Sequence, residues 1–292
     1  MNPDEAVLLW VDEYTRLAES YEANIVPRFT PFTTRLVERA SLKPHTMILD
    51  LSTGTGNAAI LAAQAVGGTG LVVGIDLADG ALAVAQTKAA RLGLRNLRFE
   101  MLDSRNIVYR GGTFDAALTS FGLPSIGHEQ VMREVYRVLK DGATFHILQW
   151  AANDPPSGWD AWTEVLQKHR TVSPSRTLAQ LREAGDLVTK SGDYAAVRDP
   201  TVVTARLKAA GFSDVRTDPH MDRVNIRRSA PSIVPVPSIL AIKSVDPHLE
   251  MTYVASCIFT LPLQSVSPGG LQRVVGEGLG TEASRTATRL SM

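Results

Sequence analysis

Between residues 46 and 150, short runs that are apolar on both faces alternate with longer stretches patterned at helical spacing. "TMILDL" (46–51), "GLVVGID" (70–76), "LRFEML" (97–102), "FDAALTS" (114–120) and "ATFHILQW" (143–150) read as strands. "NAAILAAQAV" (57–66), "DGALAVAQTKAARLG" (79–93) and "HEQVMREVYRVLKDG" (128–142) read as helices, with Asp79 as an N-cap and Gly67, Gly93 and Gly142 as stops. Strands buried on both faces and separated by helices form a parallel sheet between two helical layers. The expected fold class is a doubly wound, mostly parallel α/β sheet.

The flanks read differently. Residues 1–45 predict an N-terminal helical cap, with Leu8, Val11, Tyr14 or Thr15, Ala18 and Tyr21 or Glu22 near one face. After the core of 46–150, residues 151–197 open with the turn-forming "NDPPSGWD" and read as a helical insertion or lid. Residues 198–263 restore the alternation: Asp199 is an N-cap, Pro200 the first helical residue, Gly211 a stop, and a strand starts at Phe212. "YVASCIFTLPL" reads as a last strand, bringing the sheet to seven, and residues 264–292 read as a flexible tail.

Composition narrows the partners. The 292 residues carry 30 basic and 30 acidic side chains, so no net field draws the chain to nucleic acid or an anionic membrane. The single cysteine, Cys257, excludes an internal disulfide. "MNPDEAVLLW" is acidic where a secretory signal would be basic, and no apolar run reaches the length of a membrane span, so a cytoplasmic location is expected. A small-molecule substrate is the expected partner, and a homodimer is compatible.

The candidate chemistry lies at the ends of three successive strands. Asp50 to Gly56 follows the first strand; Gly54 and Gly56 allow backbone that a Cβ would forbid, and the next helix presents free N–H groups to a carboxylate or phosphate. Asp76 ends the second strand, where a carboxylate can accept from both hydroxyls of a ribose. Asp103, with Ser104 beside it, follows the third and can accept from an exocyclic amine such as adenine N6. Three strand termini with this chemistry point to a nucleoside.

These segments resemble class I S-adenosylmethionine-dependent methyltransferases. "ILDLSTGTG", "VVGIDLADGALAVAQTKAARLG" and "FEMLDSRN" are similar to their first three motifs, and "GTFDAALTSFGL" with "REVYRVLKDG" is similar to the ubiquinone and menaquinone C-methyltransferase group. The resemblance implies a Rossmann-like methyltransferase fold, S-adenosylmethionine as cofactor, and methyl transfer to oxygen or carbon of a small, largely apolar molecule. It further implies cofactor contacts from Asp50, Ser52, Gly54, Gly56, Asp76, Leu77, Asp103, Ser104 and Ser120, with Phe121 and Trp150 facing substrate. Ser52 stands where the family has its first loop glycine, and "PSI" follows "SFGL" where the quinone group carries an Arg-Asn pair.

For proton transfer the candidates are His128, just past the fourth strand, and Tyr21, in the covering helix. No His/Cys/carboxylate spacing suggests a metal. "YRVLK" (136–140) matches the Tyr-x-x-x-Lys of short-chain dehydrogenases, but "STGTGNAA" lacks their Gly-x-Gly-x-x-Gly. "NDPPS" follows the fifth strand and lacks the aromatic of the amino-methylating enzymes of nucleic acid and protein. The alternative to an enzyme is a cofactor-binding member of the fold that transfers no methyl group.

Overall fold

The computed structural model describes residues 1–149 and 176–217. Two helices, α1 (Pro3–Asn24) and α2 (Val26–Ala40), precede the alternating core of β1 (Met47–Leu51), α3 (Asn57–Val66), β2 (Leu71–Asp76), α4 (Asp79–Arg91), β3 (Leu97–Met101), β4 (Phe114–Ser120), α5 (His128–Val138) and β5 (Leu139–Leu148). Helices α6 (Arg176–Lys190), α7 (Asp193–Ala196) and α8 (Pro200–Ala209) follow. The five strands pair in parallel in the order β3-β2-β1-β4-β5. Chain order reverses between β1 and β4, and the ligand crevice of such a sheet lies outside the carboxyl ends of the strands at that point.

Both faces of the sheet are covered, as the doubly apolar strands demand. On one side Phe114 and Ile147 pack with Val131, Met132, Val135 and Val138 of α5 and Val203 and Leu207 of α8. On the other, Ile48, Val72 and Leu118 meet Ala59, Ala62, Ala63 and Val66 of α3 and Val37 of α2. The alanine face brings α3 close to the sheet and shapes the turn that feeds it.

Two helix starts carry side-chain caps. Asn2 caps α1 through a reciprocal pair, its side chain accepting from Glu5 N–H at 2.9 Å while the Glu5 carboxylate accepts from Asn2 N–H at 2.9 Å. Asp199 caps α8, accepting from Thr201 and Val202, with Pro200 in the first turn. At α4 the expectation of Asp79 as N-cap is corrected by one residue: Ala78 holds the cap position without a side-chain cap bond, and Asp79 is the first helical residue.

Three further expectations change. The sheet has five strands among the described residues, not seven: 212–217 forms no strand, and 253–263 lies outside them. Residues 212–217 have no ladder partner; Phe212 instead bonds back to Leu207 of α8 and packs edge-on against Tyr136. The helix read to Gly142 stops at Val138, because Leu139 turns to extended backbone and pairs with Phe114. On α1 the buried positions are Ala6, Glu13 and Ala18, while Leu8 is 61% and Tyr14 45% exposed. The contact with α4 is made by small residues: Ala18 packs on Ala78 and Ala81, and a Cβ on Gly80 would stand 2.4 Å from the Thr15 carbonyl oxygen.

Candidate active site

The floor of the crevice is the turn between β1 and α3. Ser52, Gly54 and Gly56 have φ of 50°, 54° and 82°, so alternate residues are left-handed, and within the turn Thr53 N–H donates to the Ile75 carbonyl at 3.0 Å and Gly56 N–H to the Thr53 carbonyl at 2.9 Å. Two glycines serve different ends. A Cβ on Gly56 would lie 2.9 Å from Phe99 Cζ and 3.0 Å from Ala85, whereas one on Gly54 would enter open space. Gly56 therefore permits packing beneath the turn, and Gly54 keeps the crevice above it clear. Helix α3 starts at Gly56 with no side-chain cap from that residue, and the Ala59 N–H of its first turn acts on the buried Asp50 carboxylate.

Two carboxylates stand against this turn. Asp76 at the end of β2 accepts from Gly54 N–H at 2.8 Å and from Ala78 N–H at 2.9 Å. Burial raises its carboxyl above the ordinary value, and those amides oppose the rise. Asp50, 1% exposed, accepts from the Thr53 hydroxyl at 2.6 Å, and its other oxygen is buried without a hydrogen-bond partner. Burial pushes its carboxyl up to about 7, against the pull of the Thr53 hydroxyl. Lys88 of α4 donates to the Thr55 carbonyl at 3.0 Å and to Glu22 of α1 at 2.8 Å, pinning the turn under its cover.

Across the switch point the end of β4 is built of hydroxyls and rings. Thr33, 1% exposed on α2, lies 2.9 Å from the Ser120 hydroxyl and accepts from Asn57 at 3.1 Å. Phe121 has φ of 58°, a left-handed backbone that costs an aromatic residue about 1–3 kcal/mol. It is held by its N–H bond to the Leu148 carbonyl at 2.7 Å and by stacking on Phe29, centroids 4.6 Å apart. The next residue must be small, since a Cβ on Gly122 would lie 2.6 Å from Ser52 Cβ. The β1 turn and the β4 loop thus fix each other.

The other candidates lie around this pair of loops. Leu77 is half-buried beside Asp76. Both Asp103 oxygens are engaged by Arg105, whose Nη2 stands at 2.8 Å and whose Nη1 reaches Asp4 of α1 at 2.7 Å; Ser104 lies between them in sequence. His128 is buried, donating from Nδ1 to the Ser125 carbonyl at 2.9 Å, while Nε2 accepts from Arg206. Burial lowers its pKa and the Arg206 charge adds to that, so the imidazole is neutral. Tyr21 is half-buried, edge-on to Tyr14 at 6.3 Å. Trp150 lies outside the described residues. Among those residues no cluster of three metal-binding side chains occurs.

Thr30, Thr33 and Asn57 were not singled out from sequence, nor were Lys88 and Arg105. The hydroxyls of "FTPFTTR" recur at helical spacing on α2, and that polar stripe in a helix with buried Phe29, Phe32 and Leu36 was the available signal.

The methyltransferase domain family matches residues 48–142, from β1 into β5. A demethylmenaquinone methyltransferase of Thermus thermophilus is 34% identical over 190 residues, covering 61% of this chain and 80% of that protein. One of Lactobacillus johnsonii is 29% identical over 164 residues, covering 53% and 67%. A ubiquinone/menaquinone biosynthesis C-methyltransferase of Hydrogenovibrio crunogenus is 30% identical over 122 residues, covering 41% of this chain and 48% of that protein, about half its length.

With this sheet and crevice, the chain belongs to the class I S-adenosylmethionine-dependent methyltransferases: it is an enzyme, and S-adenosylmethionine is its cofactor. Within that class its sequence stands close to the ubiquinone and menaquinone methyltransferases. The crevice suits the cofactor on two observations: open space over Gly54 and a start of α3 without a side-chain cap.

Proposed function

We propose that the protein methylates a ring carbon or oxygen of a small, largely apolar hydroxylated ring, the reduced form of a quinone of the kind its relatives are named for. The observation that carries the cofactor half is the Asp76 carboxylate held against the Gly54 amide at the switch point. In this reading Asp76 takes the ribose hydroxyls, the Gly54–Gly56 turn and the start of α3 take the methionine carboxylate, and Asp50 lies toward the ammonium. Leu77 and Ser104 flank the adenine. Asp103, paired with Arg105, then orders that wall in addition to offering its remaining lone pairs to the adenine amine. Ser52 and Ser120 border the methyl-bearing end.

The bound cofactor supplies an electrophilic methyl group on a positively charged sulfur, which becomes a neutral thioether on transfer. The protein's work is alignment and exclusion of water, and near-attack placement can supply much of the acceleration. Phe121, backed by the buried Phe29 ring, presents an apolar face for a ring beside Ser120. With both nitrogens engaged, His128 is assigned to holding α8 through Arg206, and Tyr21 to the apolar side of the cover.

No helix among the described residues is long and apolar enough to cross a membrane. With balanced charge, we place the protein in the cytoplasm, acting on a small molecule and not on nucleic acid; a homodimer is the assembly that light scattering would test. The function is tested by incubating the enzyme with S-adenosylmethionine and a short-chain demethylmenaquinol. S-adenosylhomocysteine and a methylated ring in equal amounts are expected. Cofactor binding without methylation of any quinol or phenol offered would overturn the acceptor assignment.

A further inference from the structure

The hydroxyl network beside the proposed methyl-transfer point has two proton arrangements. Thr33 Oγ1 has three polar neighbours: the Phe29 carbonyl at 3.2 Å, Asn57 Nδ2 at 3.1 Å and Ser120 Oγ at 2.9 Å. Asn57 Nδ2 donates to it, and Asn57 Oδ1 stands 3.3 Å from Thr30 Oγ1, whose proton also has the Val26 carbonyl at 2.8 Å. One hydroxyl proton remains on Thr33 and one on Ser120. When Thr33 donates back to Phe29, Ser120 donates to Thr33 and turns its lone pairs outward; when Thr33 donates to Ser120, the Ser120 proton is released outward.

Thr33 is closed off, with 1% exposure, whereas Ser120 is half-buried at the carboxyl end of β4. Of the Thr33–Ser120 pair, Ser120 is the hydroxyl that a ligand can reach, and Phe121, whose ring stacks on Phe29, follows it directly. A hydroxyl able to accept or donate beside an aromatic face matches a planar ring bearing a hydroxyl or carbonyl oxygen. Asn57 is the first residue of α3, so the same network runs back to the turn that shapes the cofactor crevice.

We propose that Thr33 is a positioning residue for the methyl acceptor: through Asn57 and Ser120 it aims the Ser120 hydroxyl at an oxygen of a phenolic or quinol ring lying against Phe121. The proposal rests on the acceptor class assigned above. It makes α2, outside the segment that matches the methyltransferase domain family, a determinant of acceptor orientation.

The test uses the full chain with a short-chain demethylmenaquinol as probe. Thr33→Val keeps the shape and removes the hydroxyl. It should raise the acceptor KM about tenfold, the value of one hydrogen bond to a buried polar partner. S-adenosylmethionine affinity, read by calorimetry, should stay within about twofold. Thr33→Ser should restore the KM, and Thr33→Val combined with Ser120→Ala should be no worse in KM than Ser120→Ala alone, because the two act as one unit. Additive losses, an unchanged KM in Thr33→Val, or a KM loss matched by equal losses of cofactor affinity and thermal stability would overturn the proposal and leave the acceptor class standing. If the wild-type enzyme binds cofactor but does not methylate the quinol, the acceptor class fails and this proposal falls with it.

Discussion

The two sides of the crevice are made of different materials. Beneath β1 and β2 stand backbone amides and two carboxylates buried enough to be raised above their usual range. At the end of β4 stand three hydroxyls, an amide and two stacked rings. The first suits a ligand of fixed charge and shape, held by main chain that no side-chain change can remove. The second suits a neutral, apolar partner with an oxygen or two. A sulfonium cofactor and a quinol-type acceptor differ in just this way, and the difference predicts which substitutions move which binding event.

The largest expected effect is on the charged side. Gly54→Val would put a branched side chain at φ of 54° and into the space over the turn. Cofactor affinity should fall at least about a hundredfold, about 2.7 kcal/mol, with the sheet intact by circular dichroism. Calorimetry with S-adenosylhomocysteine reads the affinity, and retention of wild-type binding would break the comparison.

Next comes Asp50. Its folded carboxyl titrates at about 7 against an ordinary 3.8, so between those values the folded protein keeps a proton that the unfolded chain has lost. Stability from this group is therefore full below the lower value, declines as pH rises and levels off above the upper one. Asp50→Asn, which keeps the acceptor for Thr53, should melt higher than wild type at about pH 8 and differ little at about pH 4. Melting curves across that range check it; a mutant gain that shrank as pH rose would show the sign to be wrong.

The smallest effect should come from Ser52→Gly. Relief of the left-handed serine is offset by the greater freedom of glycine in the unfolded chain and by lost contact with Gly122, so stability should move by less than about 1 kcal/mol. Chemical denaturation measures it. A larger loss would mean that Ser52 holds the two loops together more firmly than its contacts indicate.

Legibility in the sequence divides along the same line. Strands β1 to β4 stand out as short apolar runs, and Asp50, Gly54 and Asp76 could be picked because each sits in a strand or turn recognisable from its neighbours. Thr33 could not, because its partners Asn57 and Ser120 are 24 and 87 residues away and only the docking of α2 brings them together. Asp103 was rightly seen at a strand end, but its engagement depends on Arg105 curling back two residues later. On helix α1 the expected positions Ala18 and Thr15 do meet α4, whereas Leu8 and Tyr14 are exposed, because helix-to-helix contact here runs through alanine and glycine instead of the larger apolar residues that dominate a periodicity count. The α5–β5 boundary was missed because "RVLKDG" continues the helical pattern, and the pairing of Leu139 with Phe114 overrides it.

Calorimetric titration of S-adenosylhomocysteine into wild type and Asp76→Ala tests the central claim most directly. If the Asp76 carboxylate holds the ribose beside the Gly54 turn, the variant should bind about ten- to a hundredfold more weakly, about 1.4 to 2.8 kcal/mol, while remaining folded. Equal affinity in the two proteins would contradict the placement of the cofactor in this crevice.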